Sequence, residues 1–236
     1  VDPEGRIVER VIPQGLSIEG AHYPVRPILP AIAARRHINR GFEALASTDD
    51  GQWLLAAFQS PLAHPDVAAH AGARHIRLWW IEASTLRVAG QFLYPLDPPL
   101  CFRRDQRQGD LEPSDIKVGE LAWLTGRSFL VLERASLSTR IYRISLGDEH
   151  RLPEAHLDPA TRPTIEELSA AGALDLPVVD KRLIFDSDQA EEIPADLEGM
   201  AILSPTELLL VNDNDFGVEG AETQFWKVVF ADPVLV

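Results

Sequence analysis

Phe42-Glu-Ala-Leu-Ala46, a turn at Asp49-Asp-Gly51 and then Trp53-Leu-Leu-Ala-Ala-Phe-Gln59 form a unit that the chain uses three times. The second copy is Gly119-Glu-Leu-Ala-Trp123, Thr125-Gly126 and Phe129-Leu-Val-Leu-Glu-Arg134. The third is Leu197-Glu-Gly-Met-Ala201, Ser204-Pro205 and Leu208-Leu-Leu-Val-Asn-Asp213. Each copy is a glutamate, a short strand, a tight turn and a second apolar strand that ends in polar residues. The glutamates Glu43, Glu120 and Glu198 stand 77 and 78 residues apart. Near-constant spacing means one supersecondary unit used again.

Outward from these units the chain reads as many short strands joined by turns rich in its 18 prolines and 15 glycines. Strands are expected at 6–12, 43–47, 53–59, 75–83, 87–94, 120–124, 129–134, 140–146, 182–185, 199–203, 207–212 and 224–230. Trp53-Leu-Leu-Ala-Ala-Phe58 and Leu208-Leu-Leu-Val211 lack polar alternation. Such strands are covered on both faces, as in sheets stacked face to face.

The fold class expected is therefore all-β. The architecture is a β-propeller or partial propeller of antiparallel four-stranded blades, with one short inserted helix. Thr164-Ile-Glu-Glu167 is a capping box and Gly172 can close that helix. The helix lies in an excursion at roughly 147–177, and Pro95–Ser114 reads as a surface loop between blades. Residues 1–236 form one domain. Three blades and an orphan first strand fall short of a closed ring of about four to eight. The expectation is that N-terminal blades are missing, supplied by upstream sequence or a partner chain.

The 36 acidic and 22 basic side chains leave a net charge of −14. That opposes binding to nucleic acid, where Lys and Arg must neutralise phosphates. The single cysteine, Cys101, excludes an intrachain disulfide and a Cys-rich zinc site. No apolar stretch reaches membrane-spanning length. A serine-nucleophile elbow, a phosphate loop, a His-Glu-x-x-His motif and a dinucleotide turn are all absent from the sequence.

In an up-and-down blade the start of one strand lies beside the end of the next. Glu43 is then expected beside Gln59, Glu120 beside Glu133, and Glu198 beside Asp213, all on one rim. Crowded carboxylates either rise in pKa or gather a hard cation. Asn212-Asp-Asn-Asp215 adds more oxygen donors, which favour calcium or magnesium over zinc. The plain alternatives are a glutamate that caps backbone amides in each blade, and an Asn/Asp turn. Arg40 and Arg134 can hold an anion, or simply neutralise Glu43 and Glu133.

Assembled in order, several blocks resemble the family described by the esterase-like activity of phytase. They are Asn39-Arg-Gly-Phe-Glu-Ala-Leu-Ala46, Gln59-Ser-Pro-Leu62, Leu130-Val-Leu-Glu-Arg134, Leu197-Glu-Gly-Met200 and Val211-Asn-Asp-Asn-Asp-Phe-Gly217. The resemblance implies a propeller-like fold, an acidic site and a bacterial, often exported protein, periplasmic or secreted.

The function expected is a metal-dependent hydrolase of phosphate esters acting on a small anionic substrate. Glu43, Glu198 and Asp213 are the expected catalytic residues. Arg40, Arg134 and Gln59 would bind substrate. Glu43, Glu133, Glu198, Asp213 and Asp215 would hold a divalent cation, calcium foremost. A calcium-dependent lactonase and a non-catalytic scaffold propeller are the alternatives.

Overall fold

The computed structural model describes residues 1–190 and 192–236. Its strands form three antiparallel sheets and one parallel pair. Sheet one runs β3 (Phe42–Ser47), β4 (Trp53–Phe58), β5 (His75–Glu82), β6 (Arg87–Pro95). Sheet two runs β7 (Lys117–Thr125), β8 (Ser128–Arg134), β9 (Thr139–Ser145), β10 (Lys181–Asp186). Sheet three has β11 (Leu197–Ser204), β12 (Glu207–Asn212) and β13 (Phe225–Val229). The first strands lie side by side, β3 against β7 and β7 against β11. Both four-stranded sheets follow simple up-and-down order, as the repeat requires. Ring closure is not seen among the described residues.

Cover on both faces holds for β4, whereas in β12 Leu208 and Leu210 are fully buried but Leu209 and Val211 only partly, because sheet three has a neighbouring sheet on one side among the described residues. Along β8, Phe129 and Val131 belong to the core shared with sheet one, while Leu130 and Leu132 belong to the core shared with sheet three. All four are fully buried. A strand turns successive side chains to opposite faces, so a sheet stacked between two others needs apolar residues at every position. At roughly 25 cal/mol per Å² of apolar area removed from water, these two cores are the main stabilising contribution.

Four expectations need correction. The orphan strand is shorter, β1 (Arg10–Pro13), and it pairs in parallel with β2 (Val25–Leu29). The exposed Pro27 in β2 masked it, since proline in a strand signals an edge. Sheet three has three strands among the described residues, not four. The capping-box helix is present, α3 (Ile165–Ala170), where Thr164 Oγ1 accepts from Glu167 N at 3.1 Å and Thr164 N donates to Glu167 Oε2 at 2.7 Å. Two further short helices accompany it, α1 (Val67–Gly72) and α2 (Arg103–Gln106).

The stretch 95–114 is not a plain surface loop. Phe102 is fully buried, and the Asp105 carboxylate accepts from the backbone N–H groups of Ser136, Leu137 and Ser138. The excursion at 147–177 folds back onto sheet one. Arg77 on β5 donates to both carboxylate oxygens of Glu166, at 2.8 and 2.9 Å, with both side chains buried. Such a bidentate pair fixes geometry as well as charge.

The candidate site at the open ends of the inner hairpins

Each sheet carries an irregularity at the same place. Phe42 pairs with Phe58 and then Ala44 with Ala57, leaving Glu43 extra. Val118 pairs with Glu133 and then Glu120 with Leu132, leaving Gly119 extra. Leu197 pairs with Asn212 and then Gly199 with Val211, leaving Glu198 extra. These are β-bulges, which bend a strand and re-aim its side chains. The true equivalent of Glu43 and Glu198 is therefore Gly119, and Glu120 stands one residue beyond it. A side chain at Gly119 would meet Glu198 Cα at 3.8 Å, an ordinary contact distance, so β7 and β11 lie side by side here without requiring glycine.

The residues one beyond the partners of Phe42, Val118 and Leu197 are likewise equivalent: Gln59, Arg134 and Asp213. The expected pairs Glu43 with Gln59 and Glu198 with Asp213 thus share one end of their hairpins. The pair Glu120 with Glu133 does not hold: Glu133 faces Val118, and Glu120, one residue past the bulge, faces Leu132. Glu120 is half-buried, its carboxylate accepts from Leu121 N at 2.8 Å, and burial pushes its pKa up.

Glu133 is fully buried on the side of β8 that faces sheet one. It accepts from Tyr94 Oη at 2.5 Å, Asp97 N at 2.6 Å and Lys181 Nζ at 2.7 Å. Lys181 also pairs with Asp97 at 2.7 Å, and Arg140 joins Asp97 to Asp186 at 3.0 and 3.2 Å. Burial raises the Glu133 pKa against the pull of Lys181. Burial likewise drives the Tyr94 hydroxyl far up, with Glu133 adding to it. For Asp97, burial is the largest single influence and pushes upward, but the hydrogen bonds from Lys181 and Tyr142 outweigh it and hold the carboxyl low. This is an internal ion network that ties sheet one to sheet two.

Arg134, the next residue, points the opposite way. Its Nη1 donates to Asp196 at 2.9 Å and its Nη2 to Glu198, both on the sheet-three side. Lys117 is its cross-strand partner. Arg40, set by the turn in which its N–H donates to His37 O at 3.0 Å, completes a group of three cations. Burial, first, and then the charges of Arg134 and Arg40 lower the pKa of Lys117. Arg40 is lowered chiefly by burial, with Arg134 adding to it and the Asp115 and Glu43 carboxylates opposing. The Arg40 Nη1 atom is buried and has no hydrogen-bond partner among the described residues. Lys117 and Asp115 lie outside the repeated blocks, so the repeat does not point to them. The one available signal was that Lys117 precedes the repeated unit by two residues.

The residues present do not fit a calcium cage. Among the described residues no three His, Cys, Asp or Glu side chains lie close enough to hold a metal ion. Glu133 is spent on Lys181 and Glu198 on Arg134. Glu43, Asp213 and Asp215 are exposed, and Asp213 Oδ1 instead accepts from the backbone of Asp215 at 3.1 Å. The Asn212–Asp215 stretch is built as a turn, with Asn212 Oδ1 accepting from Gln224 N at 2.6 Å.

The described residues thus form mostly antiparallel sheet with a few short helices, and Arg40, Lys117 and Arg134 gather at one end of the inner hairpins. The phytase-like family, described by the esterase-like activity of phytase, matches residues 1–216, and the chain belongs to it. The family points to a hydrolase of phosphate esters. A comparison with curated proteins found no match. Among the described residues no helix is long and apolar enough to cross a membrane.

Proposed function

We propose that the three sheets are blades of a propeller and that the protein hydrolyses phosphate esters at the rim where Arg40, Lys117 and Arg134 meet. The observation that carries this reading is the buried, unpartnered Nη1 of Arg40 beside two further cations. Carboxylates of Asp115, Glu43, Asp196 and Glu198 offset much of the charge, but a buried guanidinium N–H group without an acceptor remains costly until one completes it. A phosphate oxygen would accept from Arg40 and take up the charge of Lys117, and guanidinium geometry suits it.

Glu43, exposed and next to Arg40, is the acid positioned to take a proton from an attacking water. The water oxygen would then bond to phosphorus while the P–O bond to the leaving group breaks, its electron pair going to an alkoxide that takes a proton from solvent. Glu43 later releases its own proton to solvent. The cations stabilise the charge that builds on the equatorial oxygens. Glu198 acts as counter-charge to Arg134 rather than as a proton donor. An exported, bacterial setting belongs to this proposal through the resemblance alone.

The test is turnover of p-nitrophenyl phosphate, bis-p-nitrophenyl phosphate, phytate and simple lactones by the full chain and by Arg40→Ala. The expected result is phosphate-ester turnover that falls by about a hundredfold in the variant, with the melting midpoint kept. Hydrolysis of lactones alone, or undiminished turnover by Arg40→Ala, would reject it.

A further inference from the structure

The opposite ends of sheets one and two carry a second feature that the rim chemistry does not use. Two adjoining cavities, of about 480 and 460 Å³, share Trp53, Ala89, Gly90 and Arg151 and so form one groove. Trp53, Trp80 and Trp123, three of the five tryptophans in the chain, line it. Trp53 stacks on Trp80 with ring centroids 5.2 Å apart and planes 14° apart. Arg127 lies over the Trp80 ring at 5.6 Å and pairs with Asp148 at 2.7 Å. Trp53 and Trp123 remain partly exposed.

The backbone is shaped for this opening. The register of β5 and β6 slips where Trp80 pairs with Gly90 and Ile81 with Val88, leaving Ala89 as a bulge. Arg151 donates to the Ala89 carbonyl. A side chain at Gly90 would come within 3.3 Å of Phe92 and 3.5 Å of Arg151, so glycine leaves the floor open. Bulges of this kind recur beside binding sites.

A polar group on the groove wall lacks a partner. Gln91 is 2% exposed and its Oε1 accepts from Trp79 Nε1 at 3.0 Å and Arg77 Nη1 at 3.2 Å, which fixes the amide orientation. Its Nε2 then has no acceptor among the described residues, nor does Nε of Arg127. Unsatisfied buried donors are rare and costly. A ligand acceptor at the floor would relieve them.

We propose that this groove binds a neutral saccharide chain. Indole faces present flat apolar surface to the C–H face of a sugar ring, and the acids and amide beside them match its hydroxyls. Glu82, Asp49 and Asp148 stand among the lining residues along with Arg127 and Arg151. That mixture suits an uncharged polyhydroxyl ligand better than a phosphorylated one. It places the groove apart from the anion rim, at the far ends of the same strands.

The test is tryptophan fluorescence and calorimetry of the full chain titrated separately with cellohexaose, maltohexaose and chitohexaose. At least one should bind, and Trp123→Ala should weaken it by about tenfold. Asp49→Ala is a second variant, on an exposed turn residue away from the core, and should weaken the same sugar several-fold. Phosphate-ester turnover should be the same in both variants as in the unaltered chain. Absence of binding by all three sugars at millimolar concentration overturns the proposal. So does binding that Trp123→Ala leaves intact, and so does a tighter response to adenosine or tetramethylammonium than to any sugar.

Discussion

The junction between sheets one and two and the junction between sheets two and three are built from the two faces of one strand, yet they use charge differently. Glu133 and Arg134 are neighbours on β8, and the alternation of a strand sends them to opposite sides. Toward sheet one, Glu133 meets Lys181, Tyr94 and the Asp97 backbone, and the network is buried and closed. Toward sheet three, Arg134 meets Asp196 and Glu198, with those acids 43% and 31% exposed. Beside it lie Lys117 and the unpartnered Arg40. The closed junction spends its charges on holding sheets together, while the open one leaves an Arg40 N–H group without a partner among the described residues.

The largest effect is expected at the closed junction. Glu133→Ala leaves Lys181, 12% exposed, with Asp97 alone of its two carboxylate partners, and leaves the buried Tyr94 hydroxyl without its acceptor. Removing one partner of a buried pair costs about 3–5 kcal/mol. Urea unfolding should show this as a lower midpoint with an unchanged slope. A loss below about 1 kcal/mol, within the range of an exposed pair, would erase the distinction between the two junctions.

At the open junction Glu198→Ala should cost only about 1 kcal/mol, since Arg134 keeps Asp196. The more telling measurement is the affinity for inorganic phosphate. With its counter-charge removed, Arg134 should bind phosphate as tightly as before or a few-fold tighter. Weaker binding would make Glu198 part of the anion grip rather than a brake on it.

Much of this was legible in the residues, and the failures have physical causes. Twelve of the thirteen strands follow from apolar runs between turns, and β2 is lost to its proline. The repeat places the hairpin ends correctly, because antiparallel pairing depends only on turn position. It misplaces Glu120 because the second copy's glutamate stands one residue later, relative to the shared bulge, than Glu43 and Glu198 do, and Gly119 takes the equivalent place. The role of Glu133 was accessible from alternation: it shares a face with Phe129 and Val131, the interior side toward sheet one. Lys117 had no such signal, since its importance rests on Arg40, which the chain brings from 77 residues away. The Trp groove was hidden for the same reason. Trp80 reads as packing within its own strand, and only the stacking of two sheets brings Trp123 to it.

The smallest effect concerns pH and again separates the two sides of the molecule. All seven histidines precede sheet three in the chain. Burial, the largest influence in each case, lowers the pKa of His64, His70, His75 and His156 from the ordinary 6.5. The unfolded chain therefore takes up protons at a pH where the folded chain has not. The contribution is fully present above about 6.5 and is lost as pH falls toward the lower folded values. His70 shows why: it is 5% exposed, stacks on His37 at 4.6 Å and has its Nδ1 2.7 Å from the Pro61 carbonyl oxygen. Charging it there places two imidazoles in contact against burial. Hydrogen exchange between pH 7 and 5.5 should show α1 and the β4–β5 connection opening first, with β11 and β12 keeping their protection. His70→Gln should flatten that pH dependence by a fraction of the roughly 1.4 kcal/mol that one pKa unit represents. Equal loss of protection in sheet three would place the acid-sensitive groups elsewhere.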